Sequence, residues 1–217
     1  MNWNEVNKLD CVEGLKSIEA DSIDCIIADP PYNIGKDFGN NKTQQAIKEY
    51  ADWCDTWIAE CERILSPSGT LYVYGFSEIL AHLSVRMNLP HRWLAWHYTN
   101  KTVPSLHFWQ RSHESILCAW KNKSDRIFNR DDVREPNIEN GIRHPTQKPI
   151  KLTNKLLDAC LDPTRESKVV IPFAGTGSEA RVCEERELKW ISFDINDDYV
   201  KMANLLVKNG FPKQKRI

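Results

Sequence analysis

The sequence predicts an α/β fold in which a doubly wound, mainly parallel sheet carries helices on both faces. Two observations lead there. Short, nearly continuous apolar runs such as "DCIIADP" (24–30) and "KVVIPF" (168–173) have the composition of strands covered on both sides. Between such runs lie segments whose apolar residues recur at helical spacing, so strand and helix alternate along most of the 217 residues.

Taken in order, "EVNKL" (5–9) reads as the first strand and "DCIIADP" as the second. In "TQQAIKEYADWCDTWIAECERIL" (43–65), Ala46, Ile47, Tyr50, Trp53, Cys54, Trp57, Ile58, Cys61, Ile64 and Leu65 fall on one stripe of an amphipathic helix. That aromatic stripe is expected in the core, not in a ligand pocket. "SPSG" (66–69) ends the helix, and "TLYVYGF" (70–76) follows as a strand. "SEILAHLSVRMN" (77–88) reads as helix, while "HRWLAWHY" (91–98) and "ESILCAW" (114–120) read as strands around a polar, aromatic loop. Residues 122–143 show no clear period. "PIKLTNKLLDACL" (149–161) is a helix with Pro149 in its first turn, where a missing N–H costs nothing. Strand "KVVIPF", a glycine turn, helix "SEARVCEER" (178–186), strand "KWISFDI" (189–195) and helix "NDDYVKMANLLVK" (196–208) complete the series.

Composition is that of a globular protein: 41% hydrophobic and 27% charged residues, enough in one chain of this length to bury a full core. No apolar stretch approaches the 18 residues of a membrane span, and the N-terminus lacks a basic-then-apolar leader pattern. Seven scattered cysteines without a C-x-x-C pair read as reduced thiols, not as a disulfide frame or metal site, which points to the cytoplasm. The net charge of −1 conceals an asymmetry. Residues 86–155 hold 13 Lys+Arg against 6 Asp+Glu, whereas the rest of the chain holds 16 against 24. Either a polyanion-binding face or a chance excess on a solvated surface produces that balance.

"PFAGTGS" (172–178) follows a strand and opens a helix. Its glycines let the backbone turn sharply and approach a ligand, and the helix start offers free N–H groups. Asp194 stands seventeen residues beyond Gly177, at the end of the next strand, where a carboxylate suits two ribose hydroxyls. "GTGSEA" also fits the dinucleotide fingerprint of a dehydrogenase. Only 40 residues follow Gly177, however, too few for the remainder of a dinucleotide fold unless the order of the chain is permuted.

A second motif resolves this. "IIADPPYN" (26–33) ends an apolar run in a rigid Pro-Pro elbow that carries a carboxylate and a tyrosine. With "DPPY" at 29–32, "HPTQKP" at 144–149 and "FAGTG" at 173–177, in that order and with "IFNRDDVREPN" between, the chain resembles the β group of amino DNA methyltransferases. In that group the catalytic motif precedes the cofactor glycines. The resemblance spans nearly the whole chain. It implies a Rossmann-like methyltransferase sheet with permuted motif order, S-adenosylmethionine as cofactor, double-stranded DNA as partner, and a homo- or heterodimer that covers enough duplex.

The resemblance also implies roles. Asp29 and the carbonyl of Pro30, held by Pro30 and Pro31, would accept the two N–H bonds of an exocyclic amine and free its delocalised lone pair. Tyr32 would stack on a base flipped from the duplex. No metal is needed for this chemistry. The cofactor would be held by Asp10 and Cys11, Asp29, Thr146, Gln147 and Lys148, by Phe173, Ala174, Gly175, Thr176 and Gly177, and by Asp194. In this set Lys148 would meet the methionine carboxylate, and Asp10, which also reads as a simple turn aspartate, would lie near the adenosine. Glu114 would be structural. Lys101 and Arg111 would touch DNA phosphates. One position departs from the pattern: Ile171 stands where the family usually has Asp before the Pro of the glycine motif. The whole chain, 1–217, is expected to form one catalytic domain, with target recognition from 99–113 and 122–143 and loop 33–43 as a further candidate. Adenine N6 is the expected target, with cytosine N4 or a catalytically silent DNA-binding subunit as alternatives.

Overall fold

The computed structural model describes residues 1–33, 46–97, 112–122 and 148–210. Among these, seven strands form one sheet: β1 (Val6–Lys8), β2 (Ile23–Ala28), β3 (Leu65–Gly75), β4 (His91–His97), β5 (His113–Trp120), β6 (Lys168–Ile171) and β7 (Lys189–Asp194). Their spatial order is β1-β7-β6-β2-β3-β5-β4. The five strands from β1 to β3 pair in parallel, and β5 and β4 add antiparallel at the far edge. The predicted doubly wound sheet is present, with an antiparallel hairpin-like edge that the sequence reading left open.

Six helices cover it: α1 (Cys11–Lys16), α2 (Ile47–Ile64), α3 (Ser77–Ser84), α4 (Ile150–Asp158), α5 (Ser178–Glu185) and α6 (Asp197–Asn209). The strand period of two sorts the core into two layers. Cys25 and Ile27 of β2, Tyr72 and Tyr74 of β3, Val169 and Ile171 of β6 and Trp190 of β7 pack with α4, α5 and α6. Their alternates Ile26, Ala28, Leu71, Val73, Val170, Ile191 and Phe193 pack with α1, α2 and α3. Seven free cysteines, six of them buried, lie within or beside these layers. Among the described residues, no helix is long and apolar enough to cross a membrane.

Two elements differ from expectation. "SPSG" is not a simple turn, because β3 begins at Leu65, paired with Ile23, and the pairing shifts before Cys25 meets Thr70. The four residues form an irregularity inside the strand. The six-residue α1 was not expected; Asp10 caps it by accepting from the backbone N–H of Val12 (2.9 Å) and Glu13 (3.4 Å).

The strand order reverses between β2 and β6. From β2 the chain leads to β3 on one side, and from β6 it leads to β7 on the other. In open α/β sheets the crevice beyond the carboxyl ends of strands at such a point is where ligands bind. Both sequence motifs leave the sheet there, "DPPY" after β2 and "PFAGTG" after β6.

Candidate active site

A pocket opens at that crevice. Leu9, Asp10 and Cys11 line it beyond β1, and Asp29, Pro30, Pro31 and Tyr32 beyond β2. Pro172 to Thr176 follow β6, Asp194 and Ile195 end β7, and Trp53, Lys148, Ser178, Glu179 and Tyr199 close the walls. Asp29 continues the row of Cys25 and Ile27, and Asp194 the row of Trp190 and Ser192, so both carboxylates belong to the face covered by α4, α5 and α6.

Asp29 is the centre of a charged cluster. Lys148 Nζ lies 2.9 Å from each of its oxygens and 3.9 Å from Glu114 Oε2. The Tyr32 hydroxyl donates to Asp29 Oδ1 at 2.7 Å and approaches Glu114 Oε2 at 3.4 Å. Lys148 is only 3% exposed and stands 5.0 Å from the ring centres of both Tyr32 and Tyr74. Burial by itself lowers its ammonium, but Asp29 and Glu114 outweigh burial and hold the group above its usual value. Tyr50 of α2 fixes the elbow from behind, donating to the Pro31 carbonyl at 2.7 Å.

Two contacts bear on expected roles. Tyr32, expected to stack on a base, is 5% exposed, packs edge to face with Phe76 at 5.0 Å between ring centres, and turns its hydroxyl inward to Asp29. Lys148, expected to meet a methionine carboxylate, pairs in this structure with the half-buried Asp29 carboxylate.

The glycine turn divides its labour. Gly175 has φ +48°, and a Cβ built on it would meet nothing within 4 Å, so this residue faces open pocket. Gly177 has φ +84°, and its Cβ would lie 2.7 Å from Cβ of Ala203 on α6. It permits close packing of α5 on α6 and, unlike Gly175, is not among the residues that line the pocket. Ala174 N–H donates to the Phe193 carbonyl at 2.8 Å, tying the turn to β7. Asp194 accepts from the N–H of Gly175 (2.9 Å) and of Asn196 (2.8 Å), and burial pushes its carboxyl up despite these bonds. Phe173 packs against Trp53 and Trp57 with ring centres 5.9 and 5.3 Å away.

Glu179 was not singled out from the sequence. It is 5% exposed, lines the pocket, and accepts from Ser178 Oγ at 2.6 Å through Oε2. Its Oε1 is buried without a hydrogen-bond partner among the described residues. Burial, then the charge of Asp29, raises its carboxyl. A signal existed: Glu179 shares the buried side of α5 with Val182 and Cys183, three and four residues on, where an apolar residue belongs. Glu114 sits in the charged cluster, and Trp53 of the α2 stripe lines the pocket as well as the core. Asp10 caps α1 and also lines the pocket, while burial and then Asp10 push the neighbouring Cys11 thiol up to about 12. Ile171 is buried in the core and pairs with Ser192. Thr146, Gln147, Lys101, Arg111 and most of 33–43, 99–113 and 122–143 lie outside the described residues.

Comparison with known proteins accords with this geometry. The sequence model of a family described as DNA methylase matches residues 23–141 and 134–205. The chain is 29% identical over 232 residues to the type II methyltransferase M.HpaI of Haemophilus parainfluenzae, covering 92% of this chain and 73% of that protein. It is 29% identical over 237 residues to the DNA adenine methyltransferase YhdJ of Escherichia coli (strain K12), covering 89% and 79%. Among solved structures, it resembles the cytosine-N4-specific PvuII DNA methyltransferase with a TM-score of 0.77 at 18% identity, over 96% of this chain and 89% of that one. It resembles the M1.HpyAVI–SAM complex with a TM-score of 0.67 at 20% identity, over 92% and 97%. At those identities the structural likeness speaks for the fold.

Proposed function

The chain belongs to the N6/N4 DNA methylase family, and from that premise we propose that it transfers a methyl group from S-adenosylmethionine to an exocyclic amine of double-stranded DNA, at adenine N6. The observation that carries the reading is Asp29, a carboxylate on a Pro-Pro elbow in the same pocket as the Gly175 turn and Asp194.

The pocket suits that cofactor. Gly175 leaves open space where its side chain would be, Asp194 offers a carboxylate to ribose hydroxyls, and a buried ammonium and a partnerless carboxylate oxygen lie at the Asp29 end. S-adenosylmethionine supplies, when bound, a methyl group on a positively charged sulfur.

The chain's own residues then act on the amine. Its lone pair is delocalised into the base ring, which makes it a poor nucleophile. Asp29 accepts one N–H and the Pro30 carbonyl accepts the other, drawing the nitrogen toward tetrahedral geometry. Among the described contacts Asp29 Oδ1 receives Tyr32 and Lys148, whereas Oδ2 receives Lys148 alone, so a lone pair remains for the amine. The two prolines fix their φ angles and Tyr50 anchors the Pro31 carbonyl, so these acceptors need little reorganisation as charge develops. Tyr32 supplies a stacking surface for a flipped base once it turns from Phe76, offsetting part of an unstacking cost of a few kcal/mol.

Adenine is favoured because the motif begins with Asp and because one relative is named an adenine methyltransferase. Cytosine N4 is the second reading, favoured by the likeness to the PvuII enzyme. Residues 1–217 are read as one catalytic domain acting in the cytoplasm, where Lys101 and Arg111 contact phosphates and a dimer covers the duplex. Incubation with S-adenosylmethionine and mixed-sequence DNA, followed by nucleoside mass spectrometry, separates the readings. N6-methyladenine is expected; N4-methylcytosine selects the second reading, and neither base indicates a silent subunit.

A further inference from the structure

Glu179 is a charged group in a place where an unpaired charge is expensive. Its Oε2 takes the Ser178 hydroxyl, while Oε1 has no partner among the described residues although the residue lines the pocket. The nearby cation answers for it only in part: the charge of Lys148 eases the Glu179 carboxyl, but its Nζ is held at 2.9 Å by both oxygens of Asp29. Asp10, Asp29, Glu179 and Asp194 put four carboxyl groups on the described lining against the one ammonium of Lys148. Such a pocket favours a ligand with surplus positive charge.

The shape of the cofactor decides which part of it reaches Glu179. Its ribose belongs at Asp194, at the end of β7, and its sulfur must lie beside Asp29, where the amine is held. The methionine tail, a different substituent of that sulfur from the ribose, would then fall among the groups near Asp29, and Lys148 and Glu179 line the pocket within reach of its charge. That tail is a zwitterion, and the pair offers one charge of each sign.

Resting on the proposed cofactor, we propose that Glu179 binds the α-ammonium group of the methionine tail through its partnerless Oε1. Ile171, where a carboxylate was expected, is buried in the apolar layer under α4–α6, so the anion comes from the first turn of α5 instead of from the end of β6. The raised carboxyl of Glu179 fits a group whose charge is stabilised only when a cation arrives.

The test compares two probes by titration calorimetry on the full chain. S-adenosylhomocysteine carries the amino-acid tail, and methylthioadenosine lacks it. Glu179→Gln is expected to weaken S-adenosylhomocysteine about 10- to 100-fold, the range for one hydrogen bond to a charged group. Methylthioadenosine should change by less than about 2-fold on the same grounds. Glu179→Asp keeps the charge one methylene back and should retain most of the preference for the tailed probe. Equal weakening of both probes, unchanged binding of the tailed probe, or equal loss in the Asp and Gln variants overturns the assignment. Failure of the parent chain to bind S-adenosylhomocysteine overturns the proposed function as well, which distinguishes the two failures.

Discussion

Asp194 accepts two backbone N–H bonds and still lines the pocket, so it holds the turn while leaving a carboxylate for the proposed ribose contact. Asp194→Ala should weaken S-adenosylmethionine binding by about 1.5–3 kcal/mol, the range for a hydrogen bond to a charged group. The rate at saturating cofactor should fall much less, because the ribose contact is alike in ground and transition states. Titration calorimetry with saturation kinetics checks this; an unchanged affinity would move the cofactor away from this turn. Glu179 makes the complementary point about stability. Its carboxyl is raised by burial, so the folded state disfavours the charged form, and stability present below the ordinary glutamate range is lost as pH rises through the folded value. Glu179→Gln should therefore melt at the same temperature as the parent near pH 4 and above it at neutral pH. Melting curves across that window test the sign, and a variant less stable at every pH would contradict it.

The turn between β6 and α5 shows how a short element packs against a helix and lines a pocket through different residues. Gly177→Ala places a methyl 2.7 Å from Ala203 Cβ in a left-handed conformation, and should destabilise the fold by about 2–4 kcal/mol, combining backbone and overpacking costs. Denaturant unfolding measures it; a loss under about 1 kcal/mol would mean that α6 yields readily. Periodicity made most elements legible, since α2 and the two buried strands announce themselves by spacing alone. The six-residue α1 carries too few turns to show a period, and the irregularity in β3 is set by pairing with Ile23, which no local pattern encodes. The motifs placed the pocket, but its electrostatics were not readable. Lys148 lies 119 residues from Asp29 along the chain, and only the folded sheet shows that its charge is turned toward that carboxylate. Glu179 was hidden for the opposite reason, as a charged residue inside a fingerprint that is scanned for its glycines.

At the scale of the molecule, the chain puts the Asp29 carboxylate where a parallel sheet reverses its winding, with a surplus of acidic groups around it that suits a cationic cofactor. The basic balance of residues 86–155 suits the DNA side of the same reaction, although much of that segment lies outside the described residues. Asp29 is proposed to act chiefly on the target amine, with a lesser part in holding the cofactor. Both Asp29→Ala and Asp29→Asn remove the charge that faces the buried Lys148, but Asn keeps the shape and an amide oxygen that can still accept from the ammonium, so Asp29→Asn is the cleaner probe. In one preparation of that variant, cofactor affinity and transfer of a labelled methyl group to DNA are measured side by side. The account predicts binding within several-fold of the parent and transfer reduced to background; transfer near the parental rate, with binding intact, would contradict it.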